Sequence, residues 1–367
     1  MAWIGMAAQN EHLFSTIGLE ANTPCGRNAP PELSCPDSLL TRGTILVETQ
    51  LSPDHRPRTI IGFKRDHPWC SSLSLNTLPG GGISLVLTQG ADVTHATLPD
   101  RLPARGETVR VTYAWDAPAR EGRLSVEHPG SGRIFLTRVE APKPLLLSDL
   151  KLLTHSPASG PAGSEVSLLA ISTAPEPIGP QPTLSPDVPV ATPDGYRPVE
   201  SLRVGDLVRT MTGQSVPVLD VLRHTVPARG TFAPVRLRAP YFGLRRDIVV
   251  APDQRLVIGG SDVEYTFGRE RVLVPARHLV NGTSALTERC SPTVSYVQLL
   301  LPGHEVLIAA GTPTESLFIG RLRRKRDLLA ASMLHAYPRA HLPEHAQSAY
   351  RVLKPYEAMT LAAQRAA

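Results

Sequence analysis

The sequence predicts an all-β protein: a jelly-roll-like sandwich, then a second all-β domain with a short C-terminal helical tail. Its 367 residues suffice for two domains, because a single core rarely grows past roughly 250 residues. Apolar residues make up 41% of the chain and charged residues 19%, which is typical of globular domains and excludes global disorder. The 36 prolines and 28 glycines disfavour long helices, so strands and turns should dominate.

The first half reads as short strands separated by turns. Between Gly43 and Ser172, apolar and polar residues alternate in short runs rich in β-branched residues, which is the strand pattern. This pattern predicts an antiparallel sandwich over residues 1–174, without a helix of useful length. The runs are Thr44–Leu51, Thr59–Phe63, Ile83–Thr88, Thr108–Trp115, Arg123–Glu127, Ile134–Val139 and Val166–Ile171.

The segment Gly106–Trp115, with Gly122–Val126 after it, resembles the central strands of laminin-G/concanavalin-like jelly rolls. The resemblance implies a module that contacts a glycan or a protein partner. Trp69 and Trp115 would then either stack on a ligand or pack in the core or at its rim. The aspartates of this half do not form the D-x-D-x-D-G spacing of a calcium loop, so no calcium site is predicted. These aspartates are Asp92, Asp100 and Asp116.

Prolines cluster between the two halves. Each proline fixes its own φ and biases the residue before it toward extended geometry. Residues 175–189 are therefore predicted to form a semi-rigid linker, with a domain boundary near residue 180 and the second domain over residues 183–320. The clustered prolines are Pro175, Pro177, Pro180, Pro182, Pro186 and Pro189.

The second half carries a recognisable series of blocks. Its first block, Val190–Thr210, reads as three strands joined by turns at Pro193–Gly195 and Val204–Asp206. This block and those after it resemble bacterial Hint (Hedgehog/intein-type) domains, and the resemblance implies an all-β fold. The later blocks are Arg246–Val257, Val272–Gly282, Val294–Leu301, Gly303–Leu307, Gly311–Ser316 and Val352–Glu357.

The Hint resemblance implies self-catalysed, splicing-like peptide cleavage with at most a single turnover. In the family a Cys, Ser or Thr at the first residue attacks the preceding carbonyl, and a Thr/Ser-x-x-His block supplies a hydroxyl and a proton donor. Here the first position is Thr183, and the block reads Ala251 to Gln254. Because glutamine cannot transfer a proton, weak or absent autoprocessing is predicted. The alternative is a non-catalytic binding or structural protein that uses the N-terminal sandwich.

Three further residues of this half are candidates. His304 stands where the family also has His-Glu, so it completes a predicted catalytic set with Thr183 and Gln254, unless a backbone partner satisfies its ring. His278 is expected to pack or cap a turn, and Asp253 is either a base or a solvated turn carboxylate. No His-Asn pair closes the domain, which disfavours true splicing.

The positive charge of the chain is concentrated in its tail. Residues 321–367 hold nine Lys/Arg and three Asp/Glu, whereas the whole chain has a net charge of +5. The run Arg321–Arg326 lacks interleaved aromatic residues, so no nucleic-acid partner is predicted. It is either a solvated face or a contact for phosphate or anionic lipid. Apolar residues within Asp327–Ala336 predict an amphipathic helix in a tail that packs on the Hint-type domain.

The cysteine spacing predicts neither a zinc site nor another cofactor, because no C-x-x-C pair occurs. A disulfide among the first three cysteines and isolated thiols remain alternatives. The N-terminus lacks signal-peptide features and no run reaches 18 apolar residues, so a soluble protein is expected, either cytoplasmic or exported by another route. The sequence leaves the compartment and the oligomeric state open. The four cysteines are Cys25, Cys35, Cys70 and Cys290.

Overall fold

The structure, a computed structural model, describes residues 2–8, 11–19, 38–50, 57–67, 69–79, 82–99, 108–155, 166–289 and 291–366. The chain divides into two compact units, the first ending at Pro177 and the second beginning at Ile178. Both units consist mainly of antiparallel strands, which confirms the predicted all-β class.

The first unit is an antiparallel β-sandwich. Its described helix is α1 (Leu147–His155), and its described strands are β1 (Trp3–Ala8), β2 (Glu11–Phe14), β3 (Leu39–Leu40), β4 (Arg42–Gln50), β5 (Thr59–Arg65), β6 (Ser71–Thr77), β7 (Ile83–Gln89), β8 (Asp92–Leu98), β9 (Thr108–Asp116), β10 (Glu121–His128), β11 (Arg133–Glu140), β12 (Leu145–Leu146) and β13 (Val166–Ser172). One sheet has the order β11-β10-β9-β4-β13-β1-β2, a second has the order β5-β6-β7-β8, and β3 pairs with β12.

Alternation of apolar and polar residues gives the two sheets one shared core. In β7 the inward residues Ile83, Leu85 and Leu87 are at most 1% exposed, and the residues between them are half-buried. These side chains join Val111 of β9 and Leu124 of β10 in a single cluster. Each of the seven predicted runs overlaps a strand, while the described strands β1, β2, β3, β6, β8 and β12 were not predicted.

Helix α1 corrects the expectation that the first half has no helix. Its buried face includes Leu147, Leu150 and Leu153, which recur at the helical spacing of three. Two more leucines directly before the helix belong to β12. The dense leucine run therefore hides the helical period in the sequence.

The second unit is assembled from a larger sheet and several short ribbons. Its described helices are α2 (Ser261–Phe267), α3 (Arg326–Ala330) and α4 (Pro355–Ala366), and its described strands are β14 (Pro189–Thr192), β15 (Gly195–Pro198), β16 (Leu207–Arg209), β17 (Ser215–Pro217), β18 (Asp220–Pro227), β19 (Val235–Leu237), β20 (Ile248–Val250), β21 (Arg255–Gly259), β22 (Arg271–Pro275), β23 (Ala285–Thr287), β24 (Thr293–Leu300), β25 (Val306–Ala309) and β26 (Thr312–Glu315). The main sheet has the order β15-β14-β25-β26-β21-β22. Three smaller groups are β16-β17, β18-β24 and β20-β19-β23.

The hairpin between β14 and β15 forms where the sequence predicts it. Thr192 pairs with Gly195, and the two residues between them form the turn. Gly195 has φ +115°, a conformation that favours glycine because it has no Cβ. The turn thus lets β15 run back antiparallel along β14.

The proline-rich segment contributes to the second unit from Ile178 onward. Leu184 and Val188 are both 0% exposed and belong to the main core cluster of this unit. Residues 175–189, expected as a linker, therefore include part of a domain core. The stretch contains no helix, and a turn at residues 186–187 interrupts it, with the Val188 N–H donating to the Ser185 carbonyl at 3.1 Å.

The tail differs from the predicted amphipathic helix. Helix α3 ends at Ala330, and turns follow it. The Ser332 hydroxyl donates to the Leu329 carbonyl at 2.8 Å and accepts from the Leu334 N–H at 3.2 Å, so it competes with helical hydrogen bonds. The longer helix of the tail is α4, whose Ala358 and Leu361 belong to the core cluster of the second unit.

Candidate functional site

The segment before β14 is fixed by backbone hydrogen bonds to two strands. The Leu184 N–H donates to the Val297 carbonyl of β24 at 3.1 Å, and the Leu184 carbonyl accepts from the Val297 N–H at 2.7 Å. The Thr183 carbonyl accepts from the Ala251 N–H at 2.7 Å. Because Leu184 is 0% exposed, this bridge is buried and holds residue 183 in place.

The Thr183 hydroxyl lies between two glutamine side chains. Its Oγ1 donates to Gln254 Oε1 at 2.5 Å and accepts from Gln298 Nε2 at 2.9 Å. Gln298 Nε2 is also 3.2 Å from Gln254 Oε1. Both glutamines are buried, while Thr183 is half-buried. We call these three side chains the Thr183 cluster.

Backbone carbonyls hold the two glutamines of the Thr183 cluster. Gln254 Nε2 donates to the carbonyl of Arg255 at 3.0 Å and to that of Glu315 at 3.2 Å. Gln298 Nε2 lies 3.4 Å from the same Glu315 carbonyl. Each amide nitrogen therefore faces oxygen acceptors, and Gln254 Oε1 faces two donors. The buried polar groups satisfy one another, as buried groups must to avoid a desolvation cost.

The chemistry of this cluster is that of hydrogen bonding without proton transfer. A hydroxyl is a weak nucleophile unless an adjacent base takes its proton. The acceptor of the Thr183 proton is a neutral amide oxygen, and amides do not titrate in the physiological range. Among the described residues, no histidine, carboxylate, thiol or amine hydrogen bonds to Thr183 Oγ1. Both side chains that hydrogen bond to this hydroxyl are therefore neutral amides.

His304, the third member of the predicted catalytic set, has a different group of partners. Its Nδ1 accepts from the Ala349 N–H at 3.0 Å, and its Nε2 lies 3.3 Å from Glu315 Oε2. The side chain is 1% exposed and its ring packs against Phe318. An accepting Nδ1 places the proton of the neutral ring on Nε2. The structure brings together Thr183 and Gln254 but not His304.

Glu315 connects the two groups. Its carbonyl accepts from Gln254 and Gln298, and its carboxylate lies 3.1 Å from Arg255 Nη1 as well as near His304. Glu315 thus contacts the Thr183 cluster through its backbone carbonyl and lies near His304 through its side chain.

The remaining candidates of this half have local partners. Asp253 forms an ion pair with Arg277. His278 is half-buried on the short turn Ala276–His278. Burial lowers the pKa of His278, and the nearby Arg277 charge lowers it further. His278 therefore favours its neutral form, in keeping with a ring that packs.

Asn281, whose Asn-Gly-Thr sequence also matches a glycosylation sequon, turns the chain. Its Oδ1 accepts from the Thr283 N–H at 2.9 Å and from the Ser284 N–H at 2.8 Å. Such side-chain to backbone bonds are typical of Asn in turns.

Sequence reasoning missed two residues on the ribbon β18-β24. Gln298 is opposite Leu222, and His224 is opposite Tyr296, so both lie on the same face because residues two apart share a face. His224 Nδ1 is 2.7 Å from Oε1 of Gln181. One face of the ribbon therefore contacts the chain on both sides of Pro182. Gln298 could have been predicted from the sequence, because it is a single polar residue in the apolar run Tyr296–Leu301.

In the sandwich, the two candidate tryptophans have different environments. Trp115 is 0% exposed, and its Nε1 donates to the Leu40 carbonyl at 3.0 Å. Trp69 is 43% exposed, and the Arg65 guanidinium lies 5.3 Å from its ring centroid, a distance at which a cation is attracted to an aromatic face. Trp115 is thus a core residue, while Trp69 is accessible.

The acidic and thiol candidates do not form a metal site where they are described. Asp92 pairs with Lys143 at 3.1 Å, and Asp116 pairs with Arg42 at 3.0 Å. Cys70 is an exposed free thiol. Within the described ranges no group of His, Cys, Asp and Glu is suited to hold a metal ion, and no helix is long and apolar enough to cross a membrane. The candidates outside the described residues are Cys25, Cys35, Asp100 and Cys290.

The second unit consists of short antiparallel ribbons around the buried bridge between Leu184 and Val297. The hydroxyl residue Thr183 lies beside that bridge. Residues 182–321 match the family model of the Hint domain. This part of the chain is a Hint domain, which confirms the resemblance found in the sequence.

Comparisons with solved structures gave similarities at low identity. The chain is similar to the MchDnaB-1 intein, with 16% identity, 36% of this chain and 98% of the intein covered, and a TM-score of 0.24. For the Msm DnaB1 intein splicing domain bound with zinc the identity is 19%, the coverage is 36% and 98%, and the TM-score is 0.25. The LG1-3 region of the laminin alpha2 chain shows 9% identity and a TM-score of 0.24, with 76% of this chain and 53% of the laminin chain covered. No curated protein matches the chain.

Proposed function

We propose that the Hint domain of this chain has lost efficient self-cleavage and serves as a structural domain. The observation that carries the proposal is the hydrogen bond from Thr183 Oγ1 to Gln254 Oε1, at 2.5 Å. An acyl shift needs a group that transfers a proton, and the group beside the Thr183 hydroxyl is the amide of Gln254, which does not transfer one.

Two physical effects support this loss. A positioned general acid or base typically contributes about 10²–10⁴-fold to a rate, and neither glutamine of the Thr183 cluster can act as one. Moreover, a threonine hydroxyl holds its proton far more tightly than a thiol, whose ordinary pKa is about 8.5. The attacking group and the proton shuttle are therefore both weakened, while the hydrogen bonds that fix residue 183 are retained.

The experiment is intact-mass spectrometry of the full-length chain after prolonged incubation with and without a thiol. We expect a single uncleaved mass for the wild type. In the double variant Thr183→Cys with Gln254→His, the thiolate attacks the Pro182 carbonyl, the proton passes to the amide nitrogen of residue 183, and the resulting thioester exchanges with added thiol. This variant should yield fragments split between residues 182 and 183.

Ser185→Cys with Gln254→His is the matched control, because Ser185 lies two residues farther along and its N–H is bonded to the Val249 carbonyl at 3.0 Å. This control should stay intact. Cleavage of the wild-type chain after residue 182, abolished by Thr183→Ala, would show that the domain is active and would refute the proposal.

A second candidate function concerns the sandwich, and the exposure of Trp69 favours it. An exposed tryptophan offers an apolar face for a sugar ring or a protein side chain, and the Arg65 guanidinium over its ring restricts its orientation. We propose that this region contributes to glycan or protein contacts. Screening the full-length chain and Trp69→Ala on a glycan array and in partner pull-downs tests this role. Absence of any wild-type ligand or partner would count against it.

A further inference from the structure

The tail of the second unit contains a cavity lined by arginines. Its volume is about 560 Å³, and its lining residues are Arg323, Arg324, Arg339, Ala340 and Glu344. Three guanidinium groups and one carboxylate carry a net charge of +2 if all are ionised. Like charges gathered around one cavity repel each other, so an added anion would lower the energy of the arrangement.

Glu344 holds two of the arginines in place. Its Oε1 accepts from Arg323 Nε at 3.2 Å and from Arg324 Nε at 3.0 Å, and its Oε2 accepts from Arg324 Nη2 at 2.8 Å. The hydrogen bond from Arg324 is the main cause that lowers the pKa of Glu344. The carboxylate therefore stays ionised at neutral pH and fixes the two guanidinium groups without neutralising both.

Arg339 is fixed by a different bond. Its Nε donates to the Arg323 carbonyl at 2.9 Å, which anchors the side chain at the wall of the cavity. Among the residues that the structure describes, its two terminal nitrogens have no protein acceptor. Each guanidinium carries five N–H donors, so Arg339 retains four donors for a ligand.

The two walls of this cavity are joined close to its edge. The His345 N–H donates to the Gly320 carbonyl at 2.9 Å, and His345 Nδ1 accepts from the Ile319 N–H at 3.3 Å. These bonds tie the segment of Arg339 and Glu344 to the segment of Arg323. Arginines held in place before binding lose less entropy when a ligand arrives.

We propose that this cavity binds the phosphate group of a phosphate monoester. A phosphate monoester carries a charge of about −1.5 to −2 at neutral pH, which complements the net charge of the lining residues. Planar guanidinium groups suit phosphate oxygens because they donate two parallel hydrogen bonds. The cavity is largely open to solvent, so the organic part of the ester can extend away from the arginines. The proposal does not depend on the chemistry at Thr183.

Isothermal titration of the full-length chain with phenyl phosphate, at pH 7.5 and constant ionic strength, tests the proposal. We expect saturable one-to-one binding. Arg339→Gln should weaken it at least about tenfold, because a hydrogen bond to a charged group is lost. The control is Arg269→Gln, which removes the same charge from an exposed arginine outside the cavity and should leave the affinity unchanged. No saturable binding, or equal weakening by both variants, would overturn the proposal.

A second arm of the experiment separates two sources of the phosphate group. The chain is mixed with phosphatidylcholine vesicles that contain or lack a phosphoinositide monophosphate and is then assayed by flotation. Binding of both phenyl phosphate and the phosphoinositide vesicles, each weakened by Arg339→Gln, assigns the group to a lipid headgroup. Binding of phenyl phosphate alone assigns it to a soluble ester. Vesicle binding that Arg339→Gln leaves intact would indicate diffuse charge attraction and contradict a defined site.

Discussion

The hydroxyl of Thr183 donates a hydrogen bond to the amide oxygen of Gln254, and the two oxygen atoms lie 2.5 Å apart. The same hydroxyl oxygen accepts from Gln298. Thr183, which the sequence predicted as the nucleophile, is therefore engaged as donor and acceptor in a neutral network. We expect this network to stabilise the start of the domain, so changes to its members should alter folding stability.

Replacement of Gln298 by leucine should destabilise the second unit. Leucine keeps much of the buried volume but removes the hydrogen bonds from Gln298 Nε2 to Thr183 Oγ1 and Gln254 Oε1, whereas the Thr183–Gln254 bond remains. A hydrogen bond typically contributes about 0.5–1.5 kcal/mol to stability, so we expect the two lost bonds to lower the free energy of unfolding from urea titration by about 1–3 kcal/mol. Gln214→Leu is the control, because Gln214 is exposed. Equal stability of the two variants would show that the Gln298 bonds are not stabilising.

The sequence predicted part of this site for an identifiable reason. Thr183 and Gln254 occupy positions that a family pattern marks, so they could be found although both residues depart from the pattern. Gln298 is 44 residues from Gln254, and only the pairing of β24 with the segment at Leu184 brings it near. Register between distant strands is set by packing of the whole domain and leaves no local pattern. For the same reason the alternation predicted individual strands of the sandwich but not their order.

Gly43 in β4 should not tolerate a side chain. A Cβ at this position would lie 2.6 Å from Trp115 and 2.8 Å from the Ser172 carbonyl. Trp115 is fully buried and cannot move without disturbing the core, and overpacking typically costs about 1–3 kcal/mol. We expect Gly43→Ala to lower the thermal midpoint and the urea midpoint of the full-length chain. The control is Gly130→Ala, because a Cβ there meets nothing within 4 Å. An unchanged midpoint for Gly43→Ala would contradict the close packing of Trp115 on β4.

His345 should make the second unit less stable in mild acid. Burial lowers its pKa below the ordinary value of 6.5, and the neighbouring His304, whose ring centroid is 6.0 Å away, lowers it further. Both ring nitrogens are engaged, Nδ1 by the Ile319 N–H and Nε2 by the Leu301 carbonyl. The unfolded chain therefore binds a proton near pH 6.5 that the folded chain does not, and stability falls as the pH drops through that value.

The measurement for His345 is urea unfolding between pH 7.5 and 5.5 in the wild type and in His345→Gln. Glutamine can replace part of the hydrogen bonding but does not titrate. The wild type should lose more stability than the variant over this range, and the contributions of histidines that do not interact with residue 345 cancel in the comparison. Parallel curves for the two proteins would exclude His345 as a source of the pH dependence.

The Thr183–Gln254 hydrogen bond should appear as a coupling energy in a double-mutant cycle. Thr183→Val removes the hydroxyl at similar volume and Gln254→Leu removes the amide, so each single change already breaks the bond between them, while Gln298 Nε2 still contacts the partner that remains. The double variant cannot lose that bond a second time, so its loss of stability should be smaller than the sum of the single losses. Residues in contact typically show couplings of about 0.5–3 kcal/mol, whereas distant sites add within about 0.5 kcal/mol. Thr183→Val combined with Gln214→Leu supplies the uncoupled reference. Additive losses for Thr183 and Gln254 would mean that the hydroxyl proton is not held by Gln254, and the argument against its activation would lose its structural basis.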